Sequence, residues 1–155
     1  MTAVPLRTRR ETLRLARRLG STAAPGDLLI LEGPLGAGKT FFARAFARAA
    51  GVDRDERVTS PTFALVHEHE TPRGRLLHAD LYRVGAAAEA RELGLREARG
   101  EGAVLVCEWA RRWHEALGPD GLVVDIALGR DGVRTAEVTP LGARGASWST
   151  EAGIG

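Results

Sequence analysis

Two hydrophobic rhythms divide this chain. Asp27 to Glu32 holds a short run of apolar residues, Leu28-Leu29-Ile30-Leu31, which reads as a strand. From Thr40 to Ala50 the period changes: Phe42, Ala45, Phe46 and Ala49 recur at i, i+3, i+4 and i+7, which predicts a helix, and Gly51 is placed to cap it. Near the start, Thr8 and Glu11 have the spacing of a capping box and predict a helix to about Leu19, with Leu15 and Leu19 on its buried side.

Further along, Phe63 to His69 alternates apolar and polar residues and leads through Thr71-Pro72-Arg73-Gly74 into Arg75 to Ala79, the pattern of an antiparallel hairpin. A second hairpin is predicted where Leu122 to Leu128 and Val133 to Val138 flank Gly129-Arg130-Asp131-Gly132. Between the hairpins lie a short helix from Ala86 to Leu93, a further turn through Leu95 to Arg99, an apolar strand from Ala103 to Cys107, and a short helix from Arg111 to Leu117. The expected fold is α/β: three layers, with parallel and antiparallel strands mixed in the central sheet. One domain is expected over residues 1–142, with 143–155, small and polar, as a flexible tail.

Charge alters this picture locally rather than overall. The formal net charge is +2, yet Arg7, Arg9, Arg10, Arg14, Arg17 and Arg18 fall in the first helix and its approach, with Arg10, Arg14 and Arg17 on one face. Such a face is either a solvated helix surface or a contact for nucleic acid or an acidic partner. The single cysteine, Cys107, excludes an internal disulfide and suits a reducing cytosol, and as part of an apolar strand it reads as core. No run has signal-peptide or membrane-span character, so a soluble, cytoplasmic protein without membrane contact is expected.

The chemistry concentrates in Gly33-Pro34-Leu35-Gly36-Ala37-Gly38-Lys39-Thr40, a complete G-x-x-x-x-G-K-[ST] phosphate loop between the first apolar strand and the Phe42 helix. Of the chain's 22 lysines and arginines, Lys39 is the only lysine. A compact ammonium fits between terminal phosphates where a planar guanidinium does not. The glycines let backbone N–H groups approach phosphate oxygens, and the Thr40 hydroxyl can bind Mg²⁺.

A phosphate loop needs metal placement and a positioned water before it can hydrolyse a nucleotide. Glu108 directly follows the apolar strand 103–107, where a metal-binding carboxylate belongs at the carboxyl edge of a sheet; the alternative is a surface acid. Asp80 ends the second arm of the first hairpin and could hold Mg²⁺, orient water or fasten a loop. Ser60 and Thr62 flank Pro61 where a loop sensing the terminal phosphate could lie, though a simple turn explains them as well. His67 and His69 share a strand face without a third ligand in sequence and read as a surface pair, while His78 is expected beside Asp80.

In order, Leu35-Gly36-Ala37-Gly38-Lys39-Thr40, Ser60-Pro61-Thr62-Phe63, His78-Ala79-Asp80-Leu81-Tyr82-Arg83 and Glu108-Trp109 resemble the motifs of the bacterial TsaE (YjeE) family, over about Thr8 to Val138. Pro34 stands where such proteins often carry an acid, and Ala110 where they often have Pro or Gly. The resemblance implies a slow, partner-stimulated ATP hydrolase with ATP and Mg²⁺ as cofactors. It implies support of the TsaB–TsaD pair in forming N6-threonylcarbamoyladenosine next to the anticodon of tRNAs reading codons that start with A, with direct or indirect tRNA contact. Carried over, it makes Lys39, Asp80 and Glu108 catalytic and Thr40, Glu108 and Asp80 the metal ligands. The nucleotide is then expected to meet Gly33, Pro34, Leu35, Gly36, Ala37, Gly38, Lys39, Thr40 and Phe41, together with Ser60, Thr62 and Trp109, with packing beside the nucleotide edge of the sheet as the other role open to Trp109.

Two readings of other classes stand beside it. A small-molecule kinase would explain the phosphate loop and would offer Arg91, Arg96 and Arg99 as a lid, although the stretch from Leu81 to Gly102 is short for a lid and an acceptor pocket. A nucleotide-gated binding module would use ATP only to set its conformation.

Overall fold

The computed structural model describes residues 1–63 and 65–155. Its elements follow in chain order as strand β1 (Thr2–Leu6), helix α1 (Arg9–Thr22), β2 (Leu28–Glu32), α2 (Lys39–Ala49), the hairpin β3 (Val66–Thr71) and β4 (Gly74–Asp80), and α3 (Ala87–Glu92) and α4 (Leu95–Gly100). After these come β5 (Val104–Glu108), a 3₁₀ turn at Arg111–Trp113 running into α5 (His114–Leu117), the hairpin β6 (Gly121–Leu128) and β7 (Arg134–Leu141), and α6 (Gly142–Glu151).

The strands form one sheet in the order β1-β7-β6-β2-β5-β4-β3. β6, β2, β5 and β4 are mutually parallel, while β7 and β1 on one side and β3 on the other are antiparallel to their neighbours. The fold is therefore the expected α/β class with a mixed sheet. Alternate residues of β2 explain its wholly apolar run: Leu29 and Leu31 pack with α1 and α2, and Leu28 and Ile30 with α3, α4 and α5 on the opposite face. Cys107 is fully buried in the second cluster, where burial pushes its thiol up to about 12, consistent with a core role.

From β2 the chain crosses through α2 and the first hairpin to β4 and β5 on one side, and later returns to β6 on the other. The carboxyl end of β2 is thus the switch point of the parallel strands, where an open α/β sheet leaves a crevice for ligands.

Two terminal elements depart from expectation. The segment 143–155, expected to be a flexible tail, instead carries most of α6 and packs into the core. Trp148 is completely buried, edge-on to Phe46 at 6.3 Å, and its indole N–H donates to the Leu19 carbonyl and the Thr22 hydroxyl. Arg144 binds both oxygens of the buried Asp27 at 2.8 and 2.7 Å, fixing α6 at the start of β2. The segment looks polar because two large apolar anchors, Trp148 and Ile154, with the helix closed down on the sheet at Gly145, do the work that a hydrophobic stripe performs elsewhere. At the other terminus, β1 carries Pro5 on the sheet's outer edge, a position that tolerates a missing N–H.

Candidate functional site

The carboxyl ends of the parallel strands bring four acids to one edge. Asp80 of β4 lies opposite Glu108 of β5, Glu108 opposite Leu31 of β2, and Glu32 of β2 opposite Asp125 of β6. The phosphate loop leaves this edge from β2 and enters α2 at Gly38, whose left-handed φ of 103° forms the helix N-cap. Gly33 turns with φ 140° while its α-carbon passes the Ile126 carbonyl so closely that a Cβ would come within 2.5 Å of that oxygen. A side chain at either position would displace the loop. Arg134 of β7 clamps the loop from outside, donating to the Ala37 and Gly36 carbonyls at 2.9 and 3.2 Å.

Lys39 is buried, and its ammonium donates to the Gly33 and Pro34 carbonyls at 2.6 and 2.9 Å. It also lies 4.0 Å from the centre of the Trp109 ring, a cation–π contact. Burial lowers its pKa from the ordinary lysine value, against the opposing pull of Glu108, Glu32, Asp80 and Asp125. Trp109 occupies a left-handed conformation, φ 59°, uncommon for a bulky residue, and stacks on Tyr82 with ring centres 4.9 Å apart. The turn after Trp109 is therefore made by Trp109's own backbone, and Ala110 is simply buried behind it.

Next to the lysine, the Thr40 hydroxyl donates to Glu108 Oε1 at 3.1 Å. Two ligands sharing an edge of an octahedral Mg²⁺ site, each about 2.1 Å from the ion, would lie roughly 3.0 Å apart. The pair therefore fits Mg²⁺ in both donor chemistry and spacing. No cluster of three or more His, Cys, Asp or Glu side chains that could hold a metal occurs among the described residues. Mg²⁺ is commonly held by one or two protein groups together with phosphate oxygens and water, so two protein donors match the number such a site would use.

Glu108's other oxygen, Oε2, lies 2.6 Å from His78 Nε2, with both side chains buried. His78 was expected beside Asp80, but β4 points it across to the neighbouring strand, where it holds Glu108. Asp80 accepts from the Tyr82 backbone N–H at 3.0 Å and lies 3.5 Å from the Ser60 hydroxyl, which is itself 2.9 Å from that of Thr62. The Ser60–Thr62 segment is thus joined to the strand edge through Asp80. His69, read from sequence as half of a surface pair, is buried against Glu56.

One pocket of about 410 Å³ gathers Leu35, Gly36, Gly38, Lys39, Thr40, Phe41, Ser60, Thr62, Asp80, Glu108 and Trp109, so the sequence-selected side chains converge in it. Gly33 and Pro34 border the pocket through carbonyls bound to Lys39, and Ala37 is buried beneath the loop. Tyr82 and Arg83 also line it, two residues that the sequence reading misses as ligand contacts although they follow Asp80 in the same motif. Arg134 gave no local signal, since its loop partners are nearly a hundred positions away. The arginines offered as a kinase lid do not reach the pocket. Arg99 donates to Gly26 at the start of β2, the opposite edge of the sheet, as well as to Leu117 and Asp120, and Arg96 donates to Glu115.

Residues 6–136 match the family model for the threonylcarbamoyl adenosine biosynthesis protein TsaE. A relative named tRNA threonylcarbamoyladenosine biosynthesis protein TsaE, from Bacillus subtilis, is 40% identical over 135 residues, covering 86% of this chain and 82% of that protein. One of the same name from Aquifex aeolicus is 40% identical over 109 residues, covering 70% of this chain and 77% of that protein. The crystal structure of Bacillus subtilis YdiB superposes with a TM-score of 0.79 at 31% identity, covering 97% of this chain and 93% of that one.

Proposed function

The chain belongs to the TsaE family of tRNA threonylcarbamoyladenosine biosynthesis proteins, and we propose that its part in that pathway is Mg²⁺-dependent hydrolysis of ATP to ADP and phosphate. The observation that carries this reading is the Thr40–Glu108 pair at 3.1 Å beside the buried Lys39 at the mouth of a phosphate loop.

In this reading Lys39 exchanges the Gly33 and Pro34 carbonyls for phosphate oxygens, which favour the ammonium that burial disfavours. The N–H groups of the loop and the first turn of α2 donate to the same phosphates. Thr40 and Glu108 would hold Mg²⁺, and His78 keeps Glu108 turned toward Thr40. Held there, Mg²⁺ would supply positive charge that offsets the phosphates and the developing charge on the leaving oxygen. Asp80, next to Ser60, accepts a hydrogen bond from the attacking water and orients it, while Ser60 and Thr62 sense whether the terminal phosphate is present. Trp109 and Tyr82 supply a stacked aromatic wall to the pocket.

The partners in this proposal are proteins of the TsaB and TsaD type, which perform the transfer chemistry while ATP turnover resets their assembly. The test is phosphate release by the purified chain, with and without Mg²⁺ and with TsaB and TsaD added, beside a screen of small hydroxyl and amine acceptors. Slow Mg²⁺-dependent release that rises with the two proteins supports the proposal. Transfer of phosphate to an acceptor would replace it with the kinase reading, and tight ATP binding without turnover would replace it with a nucleotide-gated module.

A further inference from the structure

A second charged feature lies outside the nucleotide pocket and shares no lining residue with it. An open groove of about 1080 Å³ runs along α1 and meets the C-terminal end of α2, and six arginines line it: Arg10, Arg14, Arg17, Arg18, Arg48 and Arg54. α1 and α2 run in the same direction, because Arg9 sits over the Phe41 ring near both N-termini and Gly20 abuts Ala49 near both C-termini. Among the described residues none of the six takes part in an ion pair. Two are held in place without being neutralised: Arg18 donates to the Ala152 and Gly153 carbonyls, and Arg48 to those of Asp53 and Glu56. The nearby Asp53 carboxylate accepts from the Asp55 backbone N–H instead.

We propose that this groove is a docking surface for the phosphodiester backbone of structured RNA. Arg10, Arg14 and Arg17 project from one side of α1 over roughly 10 Å of helix, long enough to meet successive phosphates. Their mutual repulsion opposes the helix, so the array is not a stabilising device. The C-terminal end of α2 carries the negative pole of that helix, so attraction for an anion comes from the guanidinium groups. A folded protein partner would require a buried aromatic or large aliphatic anchor at the centre of its site, and among the described residues the groove's only apolar side chains are Ala49 and Val52. Charge without an anchor is the signature of backbone contact, which positions a nucleic acid without reading its sequence. The choice of RNA over DNA rests on the pathway reading above; the groove's chemistry does not.

Fluorescence anisotropy of a labelled RNA stem-loop, titrated with the full chain across a NaCl series, tests this. Affinity should fall steeply with salt, and the combined Arg10→Gln, Arg14→Gln, Arg17→Gln variant should bind at least ~10-fold more weakly, with a log–log salt slope shallower by about 2 to 3. The three side chains are exposed and glutamine is a comparable helix former, so the fold should persist; if the triple variant loses its native melting transition, Arg14→Gln alone should still reduce the slope by about 1. Unchanged affinity and slope would overturn the proposal. So would loss of RNA binding in Lys39→Ala but not in the arginine variant, which would put RNA at the nucleotide pocket. Binding of a polyglutamate peptide in preference to RNA would overturn it in favour of an acidic protein partner. ATP hydrolysis by the same preparations separates the two claims: a chain that binds RNA but never hydrolyses ATP loses the ATPase reading and keeps the groove.

Discussion

At its N-terminal end α2 presents one cation, Lys39, buried and facing Glu32, Asp80, Glu108 and Asp125; at its C-terminal end Arg48 joins five other arginines in an open groove without an ion pair among the described residues. One helix thus separates a partly desolvated site of mixed charge, one cation against four acids, from a solvated site of a single sign. The first suits a ligand that brings both signs, a polyphosphate with its cation, because the acids need a metal and the lysine needs an anion. The second suits a polyanion that remains largely in water and exchanges counterions. The difference also accounts for the choice of side chain. Lysine stands where a compact, partly desolvated charge must move between carbonyls and phosphate, and arginine where a planar fork can bridge carbonyls or phosphates on a surface.

If the two ends are separable, damage to the packing that joins them should lower stability without altering the nucleotide pocket. Trp148→Ala removes the buried ring beneath the α1–α2 pair and should cost about 3–5 kcal/mol of unfolding free energy in a urea titration. The protein that remains folded should bind ATP with wild-type affinity; a parallel loss of ATP affinity would join the two ends into one unit.

A sharper probe acts only on the mixed-charge end. Glu108→Gln should lower Mg²⁺-dependent hydrolysis about 100- to 1000-fold in a phosphate-release assay and leave RNA binding unchanged. His78→Gln should act on the same atoms at one remove: about 10- to 100-fold weaker Mg²⁺ activation, read as a shift in the Mg²⁺ concentration for half-maximal rate. A role for His78 in packing alone would instead reduce the melting temperature and leave the Mg²⁺ dependence in place.

The smallest effect is on pH. Lys39 has its folded-state pKa lowered by burial, so between that value and 10.5 the unfolded chain binds more protons than the folded one, and stability rises with pH across this window. Below the lowered pKa the full penalty of burying the charge is present. Lys39→Met removes it, so the variant's advantage in unfolding free energy should shrink as pH rises toward 10.5. An advantage independent of pH would mean that the ammonium's burial is not what shifts it.

Most of the pocket was legible because its signals are local. The phosphate loop fixes its own spacing, Thr8 and Glu11 form the capping box in full, and both hairpin turns declare themselves in four residues. Glu108 and Asp80 were legible as strand ends, since a buried parallel strand delivers whatever follows it to the sheet edge. What escaped depends on pairings that no window contains. His78 meets Glu108 only because β4 and β5 are neighbours, Arg134 reaches the phosphate loop only because β7 folds back, and Trp148 finds Leu19 across 129 positions. The arginines of α1 were visible as a face, but their convergence with Arg48 and Arg54 required the packing of α1 on α2.

The most direct measurement is calorimetric titration of Mg-ATP into the wild-type chain, Lys39→Ala, and the Arg10→Gln, Arg14→Gln, Arg17→Gln variant. The arginine variant should bind as the wild type does, while Lys39→Ala should lose at least ~100-fold, the scale of a desolvated charge-pair contact. Binding that survives in Lys39→Ala, or that disappears with the α1 arginines, would contradict the assignment of the nucleotide to the mixed-charge end of α2.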